Sequence, residues 1–278
     1  MKRRQFLGVT AVGVAAELLA RQSSPVAAAL QDWRPDGLGS IARIGILTPA
    51  YDPVPESEAW AMAPKGISIH AARVHRQQKE DARLFAEPSR VDPAVESLAA
   101  VKPRSIMYAF MSSSYVLGTT GDEALHTRLE RVAAGVPVIL AAEAASAALR
   151  AVNARRVAII HPPWFSEETN DRGRGYFQGQ GFAVVSCARV LPLRDFQEVP
   201  PVELHRWAAT TVPKEAQAVL IAGNGLRAVG VINALEETLN RPVLTANQVT
   251  FWGALSRIER PPQVTQFGRL FRAAQQPH

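Results

Sequence analysis

The stretch Ala218-Val-Leu-Ile-Ala-Gly-Asn-Gly225 decides the fold: an apolar run of strand length, a loop of small residues, then a helical pattern from Leu226 onward. The same succession stands earlier in the chain, at Ser105-Ile-Met-Tyr-Ala-Phe-Met-Ser-Ser-Ser114. Each copy runs through an amphipathic helix into a Pro-Val step, Gly135-Val-Pro-Val138 in one and Asn240-Arg-Pro-Val243 in the other, and then into a second helix. Strands alternating with helices predict parallel sheets covered on both faces. The expected class is α/β, with two pseudo-symmetric doubly wound parallel-sheet halves that share a cleft.

Outward from the two copies, the pattern predicts strands at Arg43–Thr48, Val136–Leu140, Arg156–His161, Phe182–Cys187 and Pro242–Thr245. Helices are expected at Asp92–Ala100, Asp122–Ala134, Glu143–Val152, Glu168–Gln180, Val202–Thr211, Leu226–Leu239 and from Asn247. Tyr51-Asp-Pro-Val-Pro55 reads as a loop over the end of the first strand. The halves are placed at 43–152 and 153–258, followed by a tail at 259–278. The helices that end the two halves are expected to pack across onto the opposite half.

Before the first strand, Lys2-Arg3-Arg4-Gln5-Phe6-Leu7 leads into an apolar run and then small residues around Ala27-Ala28-Ala29. These are the parts of a twin-arginine export signal, placed at 1–29, with a Gly/Pro/Asp-rich linker at 30–42. The expected location is the periplasm, reached through the twin-arginine machinery. The first 29 residues carry four cations and one anion, so removing them lowers the formal net charge from +6 to +3. No basic block with interleaved aromatics remains, which argues against nucleic acid. A homo-oligomer is compatible with the sequence.

Ser and Gly loops at the C-terminal ends of parallel strands leave backbone N–H groups free to meet a carboxylate or phosphate. The substrate-binding candidates are therefore Ser112, Ser113 and Ser114 on one half and Gly223, Asn224 and Gly225 on the other. Tyr51 and Trp164 would wall the cleft. His161 closes a strand at the same sheet edge and is the candidate proton carrier, with Tyr115 as a second choice. Gly223-Asn-Gly-Leu-Arg-Ala228 has the letters of a dinucleotide fingerprint, but it follows a late strand and no acid ends the next strand to hold a ribose. No cofactor is expected, and six scattered histidines show no metal-ligand spacing. The one cysteine, Cys187, lies in an apolar run, without a nearby histidine in sequence, and reads as core.

Together these residues resemble the aspartate/glutamate racemase superfamily, in its branch of maleate cis-trans isomerase and arylmalonate decarboxylase. The likeness runs from Ile44 to Leu255 and is densest over Ala218–Arg227 and Glu236–Thr245. Leu47-Thr-Pro49 is similar to the family's first strand and proline loop, which adds Pro49 to the binding candidates. Ser112–Ser114 with Gly118 match a family loop, and Thr169-Asn-Asp-Arg172 a helix start that adds Asn170. The resemblance implies a cysteine in each half, and Phe110 and Gly223 stand at those places here. A racemase, isomerase or decarboxylase of that kind needs a thiol to move a proton or to add to a double bond, which neither residue supplies. Where the family often has a Pro-Tyr pair, Pro163-Trp164-Phe165 stands instead. The expected function is binding of a small carboxylic acid in the cleft. The alternatives are a cysteine-independent lyase or isomerase acting through an enediolate, and a periplasmic solute receptor.

Overall fold

The computed structural model describes residues 38–192, 195 and 198–273, all within one compact unit, Gly37–His278. The export signal at 1–29, residues 30–37 of the linker and residues 274–278 of the tail lie outside the described residues.

Two four-stranded sheets carry the architecture. The first joins β1 (Ala42–Pro49), β2 (Ile67–Val74), β3 (Ser105–Tyr108) and β4 (Val138–Leu140) in the order β2-β1-β3-β4. The second joins β5 (Arg156–His161), β6 (Ala183–Arg189), β7 (Ala218–Ile221) and β8 (Val243–Thr245) in the order β6-β5-β7-β8. Every pairing is parallel, and counted from the start of each half the two orders are identical. Both β3 and β7 are buried along their whole length, as a strand covered by helices on both faces must be.

The connecting helices are α1 (Val54–Met62), α2 (Pro88–Ala100), α3 (Met111–Val132), α4 (Ala141–Ala151), α5 (Glu167–Gly179), α6 (Pro201–Thr211), α7 (Ile232–Leu239), α8 (Ala246–Leu255) and α9 (Arg269–Ala273). Three departures from the sequence reading matter for the site. First, α1 begins inside the segment whose prolines predict a loop, and β2 is a strand absent from the sequence reading. Second, α3 begins at Met111 rather than Asp122 and is broken at Gly118, whose φ of 69° interrupts the helix, so Ser112–Ser114 lie in a helical turn. Third, the helix expected from Leu226 starts only at Ile232, after a 3₁₀ turn at Val229–Val231.

The two halves share one apolar core containing Met107 and Ala109 of the first half with Val157, Ile159 and Leu220 of the second. The helix ending the second half packs on the first half, as expected. Ser105 Oγ donates to the Ala254 carbonyl at 3.1 Å, and a Cβ on Gly253 would stand 2.8 Å from Ile139 Cγ2. Thr245 starts that helix with a capping box closed by Gln248.

His126 on α3 ties the first half together: Nδ1 lies 2.9 Å from Glu143 Oε2 on α4 and Nε2 lies 3.2 Å from Glu130 Oε1. The hydrogen bond to Glu143 raises the imidazole to about 9, against the opposing effect of burial. A histidine raised in the folded state contributes fully below its ordinary value of 6.5 and loses that contribution as pH climbs toward 9. Denaturant titrations on either side of that window should show a loss of about 1 to 2 kcal/mol, and His126→Gln should flatten the slope. An unchanged slope in the variant would remove His126 from the explanation.

Candidate functional site

In a sheet ordered 2-1-3-4 the chain leaves β1 to one side and β3 to the other, so a crevice opens at their C-terminal ends. Ala109 N donates to Leu47 O at 2.9 Å in the first half, and Ala222 N to Ile160 O at 2.8 Å in the second. These matching bonds make Phe110 equivalent to Gly223, Met111 to Asn224 and Ser112 to Gly225. The two crevices face one cavity of about 720 Å³. Its walls come from all four switch strands: Tyr51 and Asp52 after β1, Phe110 to Ser112 after β3, Pro162 and Trp164 to Ser166 after β5, and Gly223 to Gly225 after β7.

The loop after β7 is held from behind. Asn224 Oδ1 accepts from the Met111 amide at 2.9 Å and Asn224 Nδ2 donates to Asn247 Oδ1 at 2.8 Å. Asn247 Nδ2 donates both to the Asn224 carbonyl at 2.8 Å and to Glu58 Oε2 at 2.7 Å. Glu58 Oε1 in turn accepts from the amides of Ala228 and Val229 at 2.7 and 2.9 Å. Glu58 and Met111 belong to the first half and the rest to the second, so the brace spans the cleft. Among the described residues, the amides of Gly223, Asn224 and Gly225 have no protein acceptor. Three successive fixed N–H groups at a cavity wall form a ready cradle for an oxyanion. Gly223 has φ +89°, and a Cβ there would lie 2.4 Å from Pro162 Cγ, so only glycine fits this turn unstrained.

Of the residues singled out in the sequence, Tyr51, Ser112, Trp164, Gly223, Asn224 and Gly225 line the cavity. Pro49, Ser113, Ser114, Tyr115, His161 and Asn170 do not. Ser113 Oγ lies 2.9 Å from the Tyr108 hydroxyl and donates to Phe110 O, while Ser114 Oγ donates to Asp122 Oδ1 at 2.7 Å. Helical geometry explains the split: Ser112, Ser113 and Ser114 point in three directions, and only the first faces the opening.

His161 is fully buried. It shares strand parity with Val157 and Ile159, whose side chains enter the core between the halves, whereas Ile160 faces the other side. Asn170 Oδ1 accepts from Nδ1 at 2.9 Å, which leaves Nε2 to accept from the Tyr115 hydroxyl at 3.1 Å. Cys187 has no histidine near it along the chain, but adjacent strands bring its sulfur to 3.6 Å from His161 Nδ1. Burial pushes the thiol up to about 11 and the imidazole down to about 4. Both shifts favour neutral partners, the opposite of a thiolate–imidazolium pair.

Sequence reasoning missed Glu58, Asn247 and Arg76. Arg76, just beyond β2, lines the cavity with only 7% of its surface exposed. The alternating pattern of Ile67-Ser-Ile-His70 was the available signal for β2, and a strand ending at Val74 would have carried Arg76 to the sheet edge. Among the described residues no group of His, Cys, Asp and Glu is arranged to hold a metal.

A family model described as arylmalonate decarboxylase matches residues 44–271. A maleate isomerase of Pseudomonas putida is 24% identical over 247 residues, covering 84% of this chain and 98% of that protein. Among solved structures, a cysteine-to-alanine variant of the maleate isomerase Iso from Pseudomonas putida, solved with maleate, has a TM-score of 0.76 at 23% identity. It covers 84% of this chain and 98% of that one. An arylmalonate decarboxylase has a TM-score of 0.68 at 20% identity, covering 83% of this chain and 99% of its own. The fold is that of these proteins.

Proposed function

Because this chain belongs to the arylmalonate decarboxylase family, we propose that it binds a small carboxylic acid in the cavity between its halves. One carboxylate sits on the amides of Gly223, Asn224 and Gly225 and takes the Ser112 hydroxyl. The observation that carries this reading is the row of three acceptor-free amides, held rigid by Asn224, Asn247 and Glu58. The relatives are named for maleate and for arylmalonate, both dicarboxylic acids, and that is the ligand class proposed.

The cysteine mechanism is absent from the proposal. Phe110 and Gly223 stand at the equivalent loop positions, and the one cysteine is a buried, protonated neighbour of His161. His161 and Tyr115 are assigned to the packing behind the cavity, because a fully buried, neutral imidazole whose Nδ1 hydrogen is held by Asn170 meets no substrate. The proposal includes export, on the strength of the Arg3-Arg4 motif and the apolar run after it.

Maleate or phenylmalonate at about a hundred times its dissociation constant should add about 2.7 kcal/mol and raise the melting temperature by several degrees. Ser112→Ala should shrink that shift. Ser113→Ala should lower the starting temperature, by stranding the Tyr108 hydroxyl, and keep the shift. A melting temperature unmoved by every acid in a broad panel would end the reading.

A further inference from the structure

Arg76 is a buried guanidinium without an ion-pair partner among the described residues. Nη1 donates to the Tyr51 hydroxyl at 2.7 Å and to Gln78 O at 3.5 Å, and Nη2 donates to Glu80 O. Its Nε is buried with no hydrogen-bond partner. Of the two acids in its neighbourhood, Glu80 attracts the guanidinium through space but gives its oxygens to Arg90 and the Gln77 amide, and Asp52 Oδ1 takes the Val54 amide. The guanidinium carbon sits 4.8 Å over the Phe110 ring, and Phe110 leads directly into Met111, whose amide is held by Asn224.

A cation removed from water, hydrogen-bonded only to neutral acceptors and attracted by Glu80 only through space, is incompletely compensated, and an anion entering the space it lines restores the balance. Guanidinium groups suit this role because their planar N–H fork matches an oxyanion. We infer that Arg76 forms a second anion subsite, so that the ligand is a dianion with one acid group on the 223–225 amides and the other at Arg76. This rests on the carboxylate reading of those amides. The body of the ligand lies along the apolar wall of Phe110, Trp164 and Phe165. A cavity of about 720 Å³ falls in the range that encloses ligands well above the size of maleate. A cavity of that size has room for acid groups separated by more carbons than in maleate, and that is the spacing inferred for the ligand.

Arg76 also ties its own turn through Glu80 O, so the test must separate that task from ligand recognition. Calorimetric titration of the whole chain with succinate, adipate and suberate, each beside its monomethyl ester, gives the ratio of diacid to ester affinity. For adipate or suberate the unaltered protein should favour the diacid by about ten-fold or more, and Arg76→Met should bring the ratio to within about two-fold. Arg76→Lys should keep part of it. A ratio near one at every length, or a ratio that survives in Arg76→Met while both ligands weaken alike, overturns the assignment and leaves Arg76 as a turn clamp. If an ester binds without any diacid advantage, only the second subsite falls. If neither diacid nor ester binds, the amide cradle falls with it.

Discussion

Glu58→Ala is expected to lower the free energy of unfolding by about 3 to 4 kcal/mol, read as a fall in the denaturant midpoint without a change in slope. The carboxylate accepts from two backbone amides and from Asn247, and alanine leaves both amides without an acceptor and Asn247 Nδ2 with the Asn224 carbonyl alone. The amides belong to the turn that opens the second half's late helix, while the carboxylate comes from α1 of the first half. The loss therefore falls on the junction of the halves. Glu58→Gln keeps an oxygen toward the amides but turns an N–H₂ group toward Asn247 Nδ2, so it should cost about 1 to 2 kcal/mol.

Burial pushes the Glu58 carboxyl up from 4.5 to about 7, although three N–H donors pull the other way. An acid whose folded pKa is raised holds its proton longer in the native state than in the unfolded chain. It therefore removes stability as pH rises from 4.5 to about 7. The penalty of Glu58→Ala should be greatest at the acidic end of that window and smaller above it. A penalty independent of pH would mean that the carboxyl is not desolvated as the structure indicates.

The parts of the fold legible in the sequence are those where one strong local signal suffices. Ser-Ile-Met-Tyr and Ala-Val-Leu-Ile are short, wholly or mostly apolar and followed by small residues, so β3 and β7 can be placed within about two residues, although the segments after them differ from the expected loops. Their repetition implies two matching halves, and the identical strand orders agree with it. The stretch from Tyr51 to Val74 is not legible in this way. Pro53 and Pro55 suggest a loop, yet proline is well tolerated in the first turn of a helix, where no hydrogen bond is lost, and α1 begins at Val54. Without α1 and β2, Glu58 and Arg76 have no place in the site. His161 does stand at a strand end, but the end alone does not say which face the side chain takes. That depends on the register with β6, where Ile159 pairs with Cys187.

Gly223→Cys brings the resemblance and the geometry to one position. The family likeness puts a cysteine where Gly223 stands, so the substitution reads at first as a restoration. In this chain it should instead destabilise by about 3 kcal/mol, combining roughly 1 for a left-handed backbone with a β-carbon and roughly 2 for overpacking. The new Cβ would stand 2.4 and 2.8 Å from Pro162 Cγ and Cδ, a ring fixed by its own backbone that cannot swing aside. Relief requires the loop to shift, which turns the amides of residues 223 to 225 away from a shared acceptor, so the thermal shift given by a carboxylate should vanish as well. The cause can be isolated with Pro162→Ala, which removes the Cγ and Cδ atoms. The double substitution should be more stable than the sum of the two single effects predicts, by about 1 to 2 kcal/mol, and should regain part of the ligand shift. Strict additivity would show that the proline ring is not the obstacle, and that a thiol is kept out of this turn by its backbone conformation alone.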